Sequence, residues 1–126
     1  DRLAGFNASK YGKYYYGTDP NTLNYNNYHT QHDFYNTGKE IDIHCEPSED
    51  LTKPPKHEID LSFTSPPYFN REQYVDEDTQ SFARYRTIES WLNDYMFKTL
   101  TNYTHIYALI MIVISIVLFI INGFLN

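Results

Sequence analysis

Cysteine is nearly absent from these 126 residues. The single Cys45 excludes a disulfide framework within the chain and any zinc site built on several thiolates. Positive charge is scarce as well. Ten Lys and Arg stand against sixteen Asp and Glu, for a net charge of −6. That balance excludes a basic nucleic-acid coat and a polybasic membrane arm. It leaves room for a catalytic core that delegates most charge-driven binding to another part. There are no internal repeats; the apolar run at the C-terminal end does not read as an N-terminal signal peptide, and no targeting signal is visible at the other end. The length allows one domain with a modest core. The chain begins with Asp1 rather than Met, as a processed, trimmed or partial polypeptide does.

What is abundant is aromatic: 13 Tyr and 8 Phe, with many Asn and Ile, all residues of AT-rich codons. The chain divides into two unlike parts. Residues 1–105 are polar, tyrosine-rich and interrupted by turn residues, with a Tyr/Asn-rich stretch over 14–35. Residues 106–126 carry no charge, and from Ile106 to Ile121 only Ser115 and the Tyr107 hydroxyl break the apolar run. As a helix this tail would extend roughly 31 Å, against about 30 Å for a bilayer core.

The patterning predicts a coarse order of elements. Residues 2–9 read as the end of a helix. Residues 13–18, with Tyr14, Tyr15 and Tyr16, read as a strand stopped by Gly17, Asp19, Pro20 and Asn21. Residues 22–34 form a helix candidate poor in aliphatics. Residues 40–45 alternate Ile41 and Ile43 with polar neighbours, as a short strand does, and place Cys45 as a strand core residue. Residues 48–56 form a proline-bounded loop. Residues 58–64 are a second alternating strand, with Ile59, Leu61 and Phe63 on its buried face. Residues 87–103 are the best helix: Ile88, Trp91, Leu92 and Tyr95 share one side, with Thr99 and Leu100 slightly off phase. Thr87 is its cap, facing Ser90 where a capping box has Glu. The alternation predicts an α/β layer with a mostly parallel sheet.

Chemistry concentrates where strands end, which is where open α/β sheets bind ligands. Asp19, just past the first strand, is placed to accept hydrogen bonds from a ribose diol, or else bonds its own turn. Glu46-Pro47-Ser48-Glu49-Asp50 follows the second strand and can read an adenine edge, or else is a solvated acidic loop. Thr64-Ser65-Pro66-Pro67-Tyr68-Phe69 follows the third. Two prolines fix the backbone, remove two amide donors and leave their carbonyls as acceptors. Acceptors beside an aromatic face suit a planar ring with an exocyclic amino group. The alternative is a proline-bounded loop with a core tyrosine.

The run Asp60-Leu61-Ser62-Phe63-Thr64-Ser65-Pro66-Pro67-Tyr68-Phe69 resembles the catalytic motif of the S-adenosylmethionine-dependent amino DNA methyltransferases. These modify adenine N6 or cytosine N4, and their signature is (Asn/Asp/Ser)-Pro-Pro-(Tyr/Phe). The serine form is closer to the cytosine-N4 branch. Residues 1–6 resemble the helix after the cofactor's glycine loop, and 82–107 the long helix after the catalytic loop. The resemblance covers about residues 1–105 and implies a fragment of a Rossmann-like class I methyltransferase sheet. It implies Ser65, Pro66, Pro67 and Tyr68 as catalytic residues. Asp19, Ser48 and Glu49 would be cofactor ligands, and Tyr68 and Phe69 would hold the base flipped out of DNA. No metal is implied, and the setting is cytoplasmic, or the host-cell interior for a viral chain. Cytosine-C5 chemistry needs a Pro-Cys nucleophile, whereas Cys45 lies between His44 and Glu46.

The resemblance stops at both ends. The family's first strand and glycine loop would precede Asp1, and its later strands and hairpin are replaced by the apolar tail. A truncation or frameshift is the first explanation of residues 106–126, a membrane anchor the second. A hydrophobic central strand over 106–118 is the third. The chain is thus expected to be incomplete and inactive in isolation. The rival function is a small C-terminally membrane-anchored protein displaying an acidic interaction surface without catalysis. An RNA or protein amino methyltransferase is a further variant. His29, His32 and His44 read as surface residues rather than ligands, and residues 76–78 as a solvated loop. Arg71, Arg84 and Arg86 are suited to DNA phosphates or to salt bridges.

Overall fold

A computed structural model describes residues 2–67, 69, 78–104 and 109–112 of the 126. Its element order is α1 (Arg2–Ala8), β1 (Tyr14–Thr18), α2 (Thr22–Tyr35), β2 (Glu40–His44), a 3-10 turn (Ser48–Asp50) and β3 (Leu61–Thr64). There follow α3 (Ser81–Arg84), α4 (Ile88–Ser90), a π-helical segment (Trp91–Met96), α5 (Phe97–Thr104) and β4 (Leu109–Ile112). The fold is α/β. Every strand pair is parallel: β1 with β2 in the register Tyr14 to Glu40, and β3 with β4 in the register Leu61 to Leu109. The described strands form two separate pairs rather than one continuous sheet.

Local chemistry explains the boundaries. Asn21 caps α2, its side-chain oxygen accepting from Asn24 N at 3.0 Å. Asn36 ends α2 in the left-handed region at φ 46°, which asparagine tolerates. At the C-terminal end of α1, Lys39 Nζ donates to the carbonyls of Phe6, Asn7 and Ser9, the place where a helix dipole favours a cation. The Asn7 side chain joins α1 to α2, its Oδ1 lying 3.1 Å from His32 Nδ1 and accepting from Thr37 Oγ1 at 2.9 Å.

α4, the π-helical segment and α5 run on as one helix over 88–104. Thr87 caps it in a reciprocal box with Ser90: Ser90 N donates to Thr87 Oγ1, and Thr87 N to Ser90 Oγ. In the π segment Phe97 N–H donates to Leu92 O, five residues back. That wider turn brings Met96 round to the face of Trp91. Trp91, Tyr95 and Met96 are buried with Tyr85, and Phe69, Leu92 and Leu100 pack against them. The Tyr85–Tyr95 and Trp91–Tyr95 ring centroids lie 5.8 and 5.6 Å apart. Of the predicted face, Ile88 is instead half exposed.

Three expectations need correction. Strand β3 is shorter than predicted, and its Leu61 and Phe63 are 58% and 47% exposed rather than buried. They border a gap of about 1160 Å³ lined by all of β1 and all of β3, so no strand covers them among the described residues. Cys45 is exposed, because β2 ends at His44 and the chain bends away. The apolar tail contributes β4, and an extended stretch at Leu109–Ile112 is incompatible with an unbroken helix over 106–126. Among the described residues no helix is long and apolar enough to cross a membrane. The rest of the tail, 113–126, and residues 105–108 lie outside the described residues.

Candidate functional site

The three strand ends that the sequence singled out meet in one cleft. It has a volume of about 410 Å³, and its walls include Thr18, Asp19 and Asn21 after β1, and Pro47, Ser48 and Glu49 after β2. Thr64, Ser65 and Pro67 follow from β3, with Arg2, Tyr28, Thr79, Gln80, Ser81 and Tyr95 completing it. Parallel pairing carries the carboxyl ends of β1 and β2 to one edge, and β3, paired with β4, brings Thr64, Ser65 and Pro67 to the same cleft from the second pair. Backbone pairing continues past β1, with Asp19 N donating to His44 O at 3.1 Å, so the Asp19 turn leaves the sheet beside β2.

Asp19 is held by its own turn and by α2. Oδ1 accepts from Asn21 N at 2.9 Å, and Oδ2 accepts from Tyr28 Oη at 2.7 Å and Asn24 Nδ2 at 3.2 Å. Burial first, and then the bond to Asp19, pushes the Tyr28 hydroxyl well above its ordinary pKa, so it stays a donor. A carboxylate offers about four acceptor positions. Three are taken, and the remaining one is on Oδ1. Asp19 therefore fits one ribose hydroxyl as it stands, and a second when Tyr28 or Asn24 turns away.

The Ser48–Asp50 turn is pinned to the long helix. Ser48 Oγ lies 3.1 Å from Thr99 Oγ1, and Asn102 Nδ2 donates to the carbonyls of Ser48 and Glu49 at 3.0 and 3.2 Å. The Glu49 side chain is only 3% exposed. Its Oε1 accepts from Tyr85 Oη at 2.7 Å and Arg84 Nη1 at 2.9 Å, while Arg84 also reaches Asp50 Oδ2 at 2.7 Å. Burial raises the Glu49 pKa, and the bond from Tyr85 and the Arg84 charge pull against it. The hydroxyl of Ser48 and one carboxylate oxygen of Glu49 thus have internal partners. What the turn offers a ligand is its backbone, since a backbone hydrogen bond also holds the Glu49 carboxylate. Arg84 takes the salt-bridging role, not one free for phosphates.

Ser65 is exposed on the cleft wall, and its Oγ has no hydrogen-bond partner among the described residues. Pro66 and Pro67 are half-buried beside it. Phe69 is directed into the core, its ring centroid 6.5 Å from Trp91, a packing position rather than an open stacking face. Tyr68, Arg71 and residues 76 and 77 lie outside the described residues. Sequence reasoning missed Tyr28, Asn102 and Gln80. For Tyr28 the one available signal was its place on α2, roughly two helical turns after the Asn21 cap and so on the same side as Asp19.

No group of three metal-ligating side chains occurs among the described residues. His32 serves the α1–α2 contact, His29 stands edge-on to Tyr25, and His44 Nε2 lies 3.1 Å from Asp42 Oδ1. In comparisons with known proteins, no family model matches this chain, and neither does any curated protein or solved structure.

Proposed function

We propose that this chain is part of a Rossmann-like catalytic domain that methylates the exocyclic amino group of a flipped DNA base, cytosine N4 or adenine N6. The observation that carries the reading is the meeting of Asp19, Ser48 and Glu49, and Ser65 and Pro67 around one cleft beyond the carboxyl ends of β1, β2 and β3, with Pro66 half-buried between the last two and not on the wall. The gap between β1 and β3 agrees with a class I sheet in which a further parallel strand lies between them.

S-adenosylmethionine, when bound, would supply an electrophilic methyl group on sulfur. Asp19 would hold its ribose, and the backbone after Pro47 its adenine. The remaining chemistry belongs to the third strand end. An aromatic amino group is a poor nucleophile because its lone pair is delocalised into the ring. Ser65 Oγ and the Pro66 carbonyl can accept its two N–H bonds, which favours a tetrahedral nitrogen with a localised lone pair. Holding that nitrogen in line supplies most of the acceleration, and no covalent enzyme intermediate is required. Tyr68 is the stacking residue in this reading.

The test uses the complete product of the gene, with labelled S-adenosylmethionine and DNA of mixed sequence. Asp19→Ala is expected to lose cofactor uptake. Ser65→Ala is expected to retain cofactor and lose label transfer to DNA. A parent protein that neither binds the cofactor nor labels DNA sinks the proposal.

A further inference from the structure

Gln80 is only 8% exposed, yet it forms part of the cleft wall, and its Nε2 has no hydrogen-bond partner among the described residues. Local structure does not use this side chain. The Gln80 carbonyl accepts from Ala83 N and Arg84 N at the start of α3, but the carboxamide makes no cap. A buried amide donor without an acceptor costs free energy, and it has already lost its water. An acceptor presented from the cleft would recover that bond with no further dehydration of Nε2. The terminal torsion of glutamine is broad, so the carboxamide can turn toward the cleft without changing its stem.

We infer that Gln80 is a specificity-determining residue of this cleft, pairing its carboxamide with the edge of an aminopyrimidine or aminopurine where the amino group adjoins an unprotonated ring nitrogen. The inference rests on the methyltransferase reading and assigns the cleft a means of choosing its ring. Carboxamides pair with such an edge in two bonds, Oε1 accepting from the amino group and Nε2 donating to the adjacent ring nitrogen. Ser65 Oγ, on the same wall and without a partner among the described residues, would take the other N–H of a target base, Gln80 Oε1 standing in place of the Pro66 carbonyl. A ring bearing N–H at the neighbouring position, as in uracil or thymine, would set donor against donor at Nε2. The same edge occurs on the target base and on the adenine of the cofactor, so the test carries an arm for each.

Binding is followed by NMR titration of the complete gene product and its Gln80→Leu variant. The base arm compares cytidine with 3-deazacytidine, which has C–H in place of the ring acceptor. The cofactor arm compares S-adenosylhomocysteine with its 1-deaza analogue. In at least one arm the parent should prefer the ring-nitrogen ligand by about tenfold, and Gln80→Leu should bind both members about equally. The arm that responds identifies the ring that Gln80 reads. Equal weakening of both members marks a merely structural role and overturns the inference, as does a preference that survives in Gln80→Leu. If Gln80→Leu does not fold, Gln80→Met removes the donor at nearly constant length and must lose the same preference. A parent that binds none of the ligands overturns the methyltransferase reading along with this one. A parent that binds without discrimination overturns this one alone.

Discussion

Tyr85→Phe tests the clamp between the Ser48–Asp50 turn and the helical region. The substitution deletes one oxygen and leaves the ring packed against Tyr95. The lost bond, 2.7 Å from Tyr85 Oη to Glu49 Oε1, ends on a carboxylate that is almost entirely buried. The contact of the same hydroxyl with Asp94 O is 3.4 Å and adds little. A hydrogen bond to a charged acceptor contributes about 2 kcal/mol net, so Tyr85→Phe should lower stability near pH 7.5 by about 2 kcal/mol. For a chain of this size that is a fall in melting temperature of roughly 6–10 °C. The penalty must also depend on pH. Burial raises the Glu49 pKa, so the folded protein holds that proton more tightly than the unfolded chain. The Glu49 contribution is therefore fully present below the ordinary carboxylate range and falls as pH rises through its raised value. The Tyr85 bond opposes the rise, and removing it moves the pKa further up and steepens the loss. Near pH 4 the bond ends on a neutral carboxyl, and the penalty should shrink to about 1 kcal/mol. Urea unfolding of both proteins across this range reads the difference directly. A penalty that is flat with pH, or one under about 0.5 kcal/mol at pH 7.5, would refute the clamp.

Asn102→Ala removes both bonds from the long helix to the turn carbonyls and should cost about 1–2 kcal/mol, with faster amide exchange across 48–50 as the readout. Gly17→Ala would place a Cβ 2.8 Å from Tyr15 Cε1, and the Tyr15 ring is backed by Phe6 at 5.4 Å. It should destabilise by about 1–3 kcal/mol in urea unfolding, whereas a neutral result would show that the ring yields freely. Asn21→Ala removes the α2 cap and should cost about 1 kcal/mol, measured as lost helical signal on heating.

Much of the fold was legible because its boundaries are set by short-range chemistry. Asn21, Thr87 and the Gly17-to-Asn21 turn act on their immediate neighbours, and the observed elements start and stop beside them. The Thr87–Ser90 box formed although serine replaced the usual glutamate, since a hydroxyl also reaches back to the cap N–H. Tertiary features were not legible. The π-helical turn that buries Met96 adds one residue to a period that otherwise reads as ordinary helix. The burial of Glu49 depends on Arg84 and Tyr85, thirty-five and thirty-six residues away. Alternation in 58–64 separates apolar from polar residues but did not show which face is covered: Leu61 and Phe63 are exposed and Ser62 and Thr64 half-buried, and no described strand covers the apolar pair.

The gap between β1 and β3 bears on the cleft as well as on the core. Parallel strands ordinarily sit inside larger, covered sheets, and here each pair turns a strand edge toward the other across the gap. Arg2, Thr18 and Thr64 border both the gap and the cleft, so the gap opens into the cleft at the carboxyl ends of β1 and β3. The guanidinium of Arg2 lies 5.4 Å from the centre of the exposed Phe63 ring at this junction. A parallel strand lying in the gap would satisfy both edges and cover Phe63. Its last residues would emerge between Asp19 and Ser65, beside the start of α1. In the proposed reading, the strand that completes the sheet thus also supplies the wall of the cleft between the ribose ligand and the amino-group acceptors. Core stability and ligand affinity should rise together when it is in place.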